Sequence, residues 1–390
     1  MRLSPLKLTP VAALIALSLG YSCAHAQGIK MDPLTLYPTA SLSYGHNDNV
    51  LLTTSRLSSN TTVLAAGIRA EAVSGKDKYS IGYNGTYGRY ASSTVDNYNY
   101  HDFMASADMD ISSRVRVKLG ADYSIKSDPR GALPTAATPS PNEYRQTGFS
   151  GTLSYGASGA QGRIEVDGGY AEKRYETNRN VTQAFDLDTH KAGATFYWRI
   201  APKTEWLTSA SMIRADYTAP TSTLDNTTYS LMTGLKWEAT AQTQGTFRVG
   251  YSKKDVWLPG LKDTQGVTWD GSVRWSPLSY SNVDISTGKS FGDALAGGNA
   301  IVNSYLNARW SHDWTDRIIS TVSAGLIKDD FAGTVNGRKD TTSSLGLGLS
   351  YAMRTWLSFG ADYTYTARDS NAATFSYRKN LMLFSARIAL

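Results

Sequence analysis

Five histidines and one cysteine are the chain's whole stock of imidazole and thiol side chains. Cys23 and His25 fall in the first 26 residues, which leaves His46, His101, His190 and His312. A nucleophile needs a base within hydrogen-bond reach and a third group to orient that base. His101-Asp102 and His312-Asp313 are adjacent pairs. Neighbours on a strand point to opposite faces, so neither pair orients itself. No H-E-x-x-H or Walker pattern occurs. LGLGLS at 345–350 alternates glycine along a strand and is not a phosphate loop. Without clustered histidines or a later cysteine, the chain offers no metal site, no cofactor site and no catalytic residue.

The elements that would position any chemistry have a period of two. In LGLGLSYAMRTWLSFGADYTYT (345–366), Leu345, Leu347, Leu349 and Tyr351 share one parity, which Leu357, Phe359, Ala361, Tyr363 and Tyr365 continue after a short turn. Small and polar residues hold the other parity, so these are strands with two unlike faces. The hairpin recurs at about 40 residues, with Tyr155, Trp198, Trp237, Trp275, Trp310 and Tyr351 ahead of the turns. Eighteen strands follow, from 35–45 and 61–73 to 356–367 and 376–390. An even number suits a closed antiparallel barrel of the outer-membrane kind. Short connections (SGKDK, ISSR, APK, PLS, WTD, MRT) alternate with longer ones, including 127–144 and 292–300. That asymmetry puts the short turns and both chain ends on the periplasmic side.

The expected class is therefore all-β, a transmembrane up-and-down barrel whose apolar parity faces lipid. Trp198, Trp206, Trp237, Trp275, Trp310, Trp314 and Trp356 all lie near short turns, while tyrosines gather at the far strand ends. Two aromatic bands mark the two interfaces of a membrane-spanning cylinder. Strands of roughly twelve residues also suit a tilted crossing better than a soluble sheet.

The opposite parity collects charge. It holds Arg114, Arg116, Lys118, Asp122, Arg163, Glu165, Asp167, Arg199, Arg214 and Asp216, then Lys236, Arg248, Asp270, Arg274, Arg309, Asp362 and Arg387. An Arg or Lys at the lipid midplane costs about 2–4 kcal/mol, so this parity is assigned to the lumen. Both signs occur side by side. They form either a self-neutralising lattice that stiffens the wall or a selectivity ladder for an ionic or sugar solute. Eighteen tilted strands give a backbone diameter of about 36 Å, wide enough for an aqueous path. Residues 127–144, long and proline-stiffened, are the candidate plug, with an ordinary exposed loop as the alternative.

The N-terminus sets the compartment. Arg2 and Lys7, the apolar run VAALIALSLG and Ala24-His25-Ala26 describe a signal peptide over 1–26, cleaved at Ala26/Gln27. The barrel would occupy 27–390. Gly20-Tyr21-Ser22 before Cys23 makes a poor lipobox. The net charge of +6 falls to +4 without Arg2 and Lys7, and it is spread without basic runs, so nucleic acid is no expected partner. Mean hydropathy is −0.32 although tyrosine (24) and tryptophan (9) are abundant. That combination fits strands of which half face water.

Several stretches resemble a known family. YGHNDNVLL (44–52) resembles the Y-x-x-N-x start of the putative β-barrel porin 2 family. VRWSPLSYSNVDISTGKSFGDALAGG (273–298) and LNARWSHDWTDRI (306–318) are similar to its EpsL-type branch, and YTARDSNAATFSYRKNLMLFSARIAL (365–390) resembles its closing segment. The matching hallmark positions are Asn49, Arg368, Asp369, Ser370, Asn371, Tyr377 and Asn380. The resemblance implies an outer-membrane channel tied to exopolysaccharide or capsule export, with polysaccharide as cargo and periplasmic export machinery as a candidate partner. A general diffusion porin for small sugars or anions is the alternative reading, and a barrel enzyme or adhesion scaffold the second. Leu390 departs from the Phe or Trp on which such barrels usually end. Lipid and lipopolysaccharide of the outer membrane would surround the wall.

Overall fold

The structure is a computed structural model that describes residues 28–130, 138–157, 159–220, 222–238, 242–257, 260, 262–293, 298–333 and 337–390. The expected signal peptide lies outside the described residues, as do residues 131–137 of the expected plug.

A short strand β1 (Ile29–Met31) folds back on β2 (Leu34–Asn47). The wall continues with β3 (Ser59–Ser74), β4 (Asp77–Tyr90), β5 (Tyr98–Asp110), β6 (Val115–Asp128) and β7 (Asn142–Tyr155). Next come β8 (Gly162–Tyr175), β9 (Leu187–Ala201), β10 (Thr204–Tyr217), β11 (Asn226–Trp237), β12 (Thr243–Val256) and β13 (Thr264–Leu278). It ends with β14 (Ser281–Gly292), β15 (Ala300–Thr315), β16 (Ile318–Ala332), β17 (Lys339–Arg354), β18 (Leu357–Ser370) and β19 (Tyr377–Ala389). Each strand from β2 onward pairs antiparallel with the next, and β19 returns to β2 from Leu381↔Asn47 to Ala389↔Thr39. The eighteen long strands therefore close into a barrel. Their lengths, from 12 residues in β11 to 16 in β3, are those of membrane crossings.

Cross-strand partners share a face, so the register carries the parity around the ring. Leu347 opposes Val322 on one side and Tyr363 on the other, and Tyr363 opposes Met382. This face has no apolar layer over it: Leu345, Leu347 and Leu349 are 42%, 47% and 52% exposed. In a soluble sandwich such residues would be buried. On a lipid-facing barrel they remain bare to the hydrocarbon. On β18 the other face carries Ser358, Gly360, Asp362 and Thr364 into the lumen. The seven tryptophans of the expected lower band all lie at the short-turn end, with Trp198 opposite Trp206 on the outward face. Among the described residues, no helix is long and apolar enough to cross a membrane.

Candidate functional site

The inner wall is built of side chains that the strand period turns away from lipid, and its charges meet in pairs. Arg116 Nε donates to Asp110 Oδ1 at 2.7 Å, and Lys118 Nζ lies 2.9 Å from Asp108 Oδ2. Arg163 Nη1 and Nη2 sit 3.2 and 3.3 Å from Glu165 and Glu205. The same guanidinium stacks 4.1 Å over the Tyr197 ring, whose hydroxyl donates to Glu165 at 3.1 Å. Lys236 reaches Glu205 at 3.9 Å. Arg248 holds Asp270 through two parallel bonds of 3.0 and 2.9 Å, a geometry only a guanidinium supplies. Arg274 grips Asp284 likewise at 2.7 and 3.1 Å, and Asp284 also opposes Arg309 across β14–β15. Arg387 and Asp362 close the series at 3.6 Å. Opposite charges two residues apart or directly across a ladder are the spacing at which such pairs form.

Asp122 and Asp167 lie flat over neighbouring glycines. A Cβ on Gly148 would stand 2.5 Å from Asp122 Oδ1, and one on Gly193 would stand 2.8 Å from Asp167 Oδ1. Arg199 continues the inward parity of β9 and donates to the Gly159 carbonyl at 2.5 Å. Arg114 sits in the turn ahead of β6.

Arg214 and Asp216 differ from the expectation. They share the face of Trp206, and Arg214 opposes outward His190 and Thr227. They bond one another at 2.8 Å at the outer end of β10, on the outside of the barrel. Exclusion of charge from lipid holds only within the apolar band. Above it the outward face meets headgroups and water, and parity no longer predicts polarity.

The outer mouth carries groups that the period alone did not single out. Tyr144 and Tyr175, inward on β7 and β8, pack with Phe185, Val181 and Leu224 from the 176–186 and 218–225 connections. Lys173 Nζ lies 3.7 Å above the Tyr144 ring and 3.3 Å from Asp128, which accepts the Tyr175 hydroxyl at 2.7 Å. Asp293, just past β14, reaches over the lumen side of the outer ends of β10–β12. There it accepts from Tyr217 at 2.7 Å and Asn226 at 3.0 Å and pairs with buried Lys254. Lys173 and Lys254 sit on the lumen parity, a signal that could have found them; Asp293 lies beyond a strand end, where no period applies. Among the described residues, the segments that pack inward at the mouth include 176–186 and the start of the connection after β14. The described ends of 127–144 stand at the rim, where Arg130 bonds Asp96 at 2.9 Å.

The hallmark residues face the seam and its neighbours rather than a solute. Asn49, with no exposed surface, donates to the Thr53 carbonyl (2.8 Å) and the Arg378 carbonyl (2.9 Å). Asn380 donates through its amide to Asp48 at 2.7 Å and accepts from Tyr363 at 2.7 Å. Arg368 donates to the Phe375 carbonyl at 2.7 Å and lies 4.7 Å over the buried Tyr377 ring. Ser370 Oγ accepts from Ala372 N at 3.1 Å, while Asn371 Oδ1 accepts from Lys339 N at 2.8 Å. Asp369 lies outward, opposite Thr341. These contacts tie the outer connections of β2, β17, β18 and β19 to one another.

A closed ring of eighteen antiparallel strands, apolar outside and ionic inside, defines an outer-membrane barrel of the porin class. The chain belongs to the family described as Putative beta-barrel porin 2, whose model matches residues 23–390. The EpsL-type branch and its exopolysaccharide association go beyond that match. Among curated proteins none matches. Two solved structures show the same fold. OccAB2 of Acinetobacter baumannii is 11% identical, with a TM-score of 0.50 over 92% of this chain and 98% of its own. The outer membrane protein opdK of Pseudomonas aeruginosa is 11% identical, with a TM-score of 0.50 over 92% and 100%. The chain is accordingly a non-enzymatic barrel of the outer membrane.

Proposed function

We propose that the protein conducts small hydrophilic solutes, sugars or anions, passively across the outer membrane. The observation that carries this reading is a closed ring of eighteen long strands that, within the apolar band, turn an apolar side outward and a polar side inward. Rings of 16–18 strands leave an aqueous path, whereas smaller rings fill with side chains. The paired lining offers donors and acceptors to a hydroxylated or charged solute without a strong net field. The inward packing at the outer mouth supports size selection there. Polysaccharide export, which the motif resemblance implied, gains no support from the family match or the fold, and the small-solute reading fits both better.

Planar-bilayer recording and liposome swelling with sugars of increasing size test the proposal. Stepwise conductance and swelling that falls off with sugar size are expected. A purified, folded protein with neither, or a deletion strain that loses polymer export while keeping its small-solute permeability, sinks it.

A further inference from the structure

The outward face carries a second charged feature, above the apolar band. Across β7–β12 each outward cation near the outer end has an acceptor within the protein. Arg145 meets Glu176 at 3.4 Å, Arg174 meets Asp188 at 2.7 Å, and Arg214 meets Asp216 at 2.8 Å. Lys253 meets Asp255 at 2.6 Å and Asp263 at 3.1 Å, and its ammonium holds the Asp263 carboxyl below the ordinary carboxylate range. On β14 and β16 the pattern breaks. Lys289 and Lys328 both oppose Ser304, one on each side, so they stand on one cross-strand row of the outward face. Strands about 4.8 Å apart put their Cα atoms roughly 10 Å from each other. Among the described residues neither ammonium has a hydrogen-bond or ion-pair partner; Lys289 lies only 5.6 Å from the Trp269 ring centroid. The neighbouring carboxylate of Asp330 is engaged by Lys339 at 3.1 Å, and Asp369 stands beyond Thr341. Below the row runs an exposed aliphatic ridge of Leu306, Leu326 and Leu345.

We propose that Lys289 and Lys328, with Ser304 between them, form a binding site for the phosphate groups of the phosphorylated glycolipid of the outer leaflet. The position is that of its headgroup, at the outer end of the strands and just above the apolar belt. Two ammoniums on flexible stems, left without protein acceptors, match a headgroup bearing more than one phosphate. The leucine ridge beneath takes the acyl chains. Single-phosphate phospholipid offers one anion and fewer chains to the same row.

The test is binding of purified bisphosphorylated lipid A to the detergent-purified full chain, read by native mass spectrometry and by thermal stabilisation. At about 1 kcal/mol per lysine near a charged lipid surface, Lys289→Gln with Lys328→Gln should weaken binding roughly 30-fold. Each single variant should weaken it about 5-fold, which keeps the test open where the double variant does not assemble. The Lys289→Arg, Lys328→Arg pair should bind as wild type. Dephosphorylated lipid A should give little shift. Unchanged binding by the glutamine variants, an equal loss in Lys253→Gln, or equal stabilisation by phosphatidylglycerol would each overturn the proposal.

Discussion

At the scale of single residues, the wall separates side chains that hold the barrel from side chains that a solute meets. Asn49 belongs to the first kind, since its amide bridges two backbone carbonyls and it has no exposed surface. Asn49→Ala leaves buried carbonyls without donors, a loss of about 1–3 kcal/mol. Urea unfolding followed by tryptophan fluorescence should show it, with single-channel conductance unchanged. Arg248 and Asp270 belong to the second kind. Their pair is about a third exposed, so its contribution to stability is small. Arg248→Gln should leave folding intact yet shift reversal potentials in a salt gradient toward cations, because Asp270 then faces the lumen alone. Adding Asp270→Asn should return the potential toward the wild-type value. The lumen charges were legible because burial against lipid enforces parity. Arg214 and Asp216 were misassigned for the complementary reason, that nothing enforces it above the hydrocarbon.

At the scale of elements, the eighteen long strands were readable to within a few residues. Alternation, turn length and the tryptophan band are all local signals, and a barrel wall contains little else. β9 to β10 illustrates this: Trp198 and Trp206 flank a turn of Lys203 and its neighbour, and the pairing of the two indoles follows from their distances to that turn. The strand β1 escaped notice because three residues cannot show a period. The inward packing of 176–186 escaped it because that packing rests on Phe185 and Leu224, isolated apolar residues in polar connections. The two-faced reading makes a direct prediction. Leu347→Arg, mid-strand on the lipid face of β17, should lower stability by about 2–4 kcal/mol and reduce the heat-modifiable folded band on gels. Thr364→Arg on the lumen face of β18, opposite Gly346, should fold at near wild-type yield.

For the whole molecule, the family match and the closed ring place the chain in the outer membrane. Cleavage at Ala26/Gln27 is our reading of the first residues. N-terminal sequencing of protein from outer-membrane fractions should begin at Gln27, and a mature start elsewhere would refute that site. The cargo was the least legible property, because motifs such as Asn49 and Asn380 turned out to secure connections at the seam and carry no record of what passes through.

That seam joins β2 to β19, and the Leu390 amide donates to the Pro38 carbonyl at 3.2 Å. A ring so closed has no intrinsic first strand. The chain's order is a matter of where it was cut, and the staples at Asp48 and Asn49 fasten this junction. A circular permutant that links residue 390 to residue 34 and opens in the 91–97 connection should therefore assemble into the same barrel, with the same conductance.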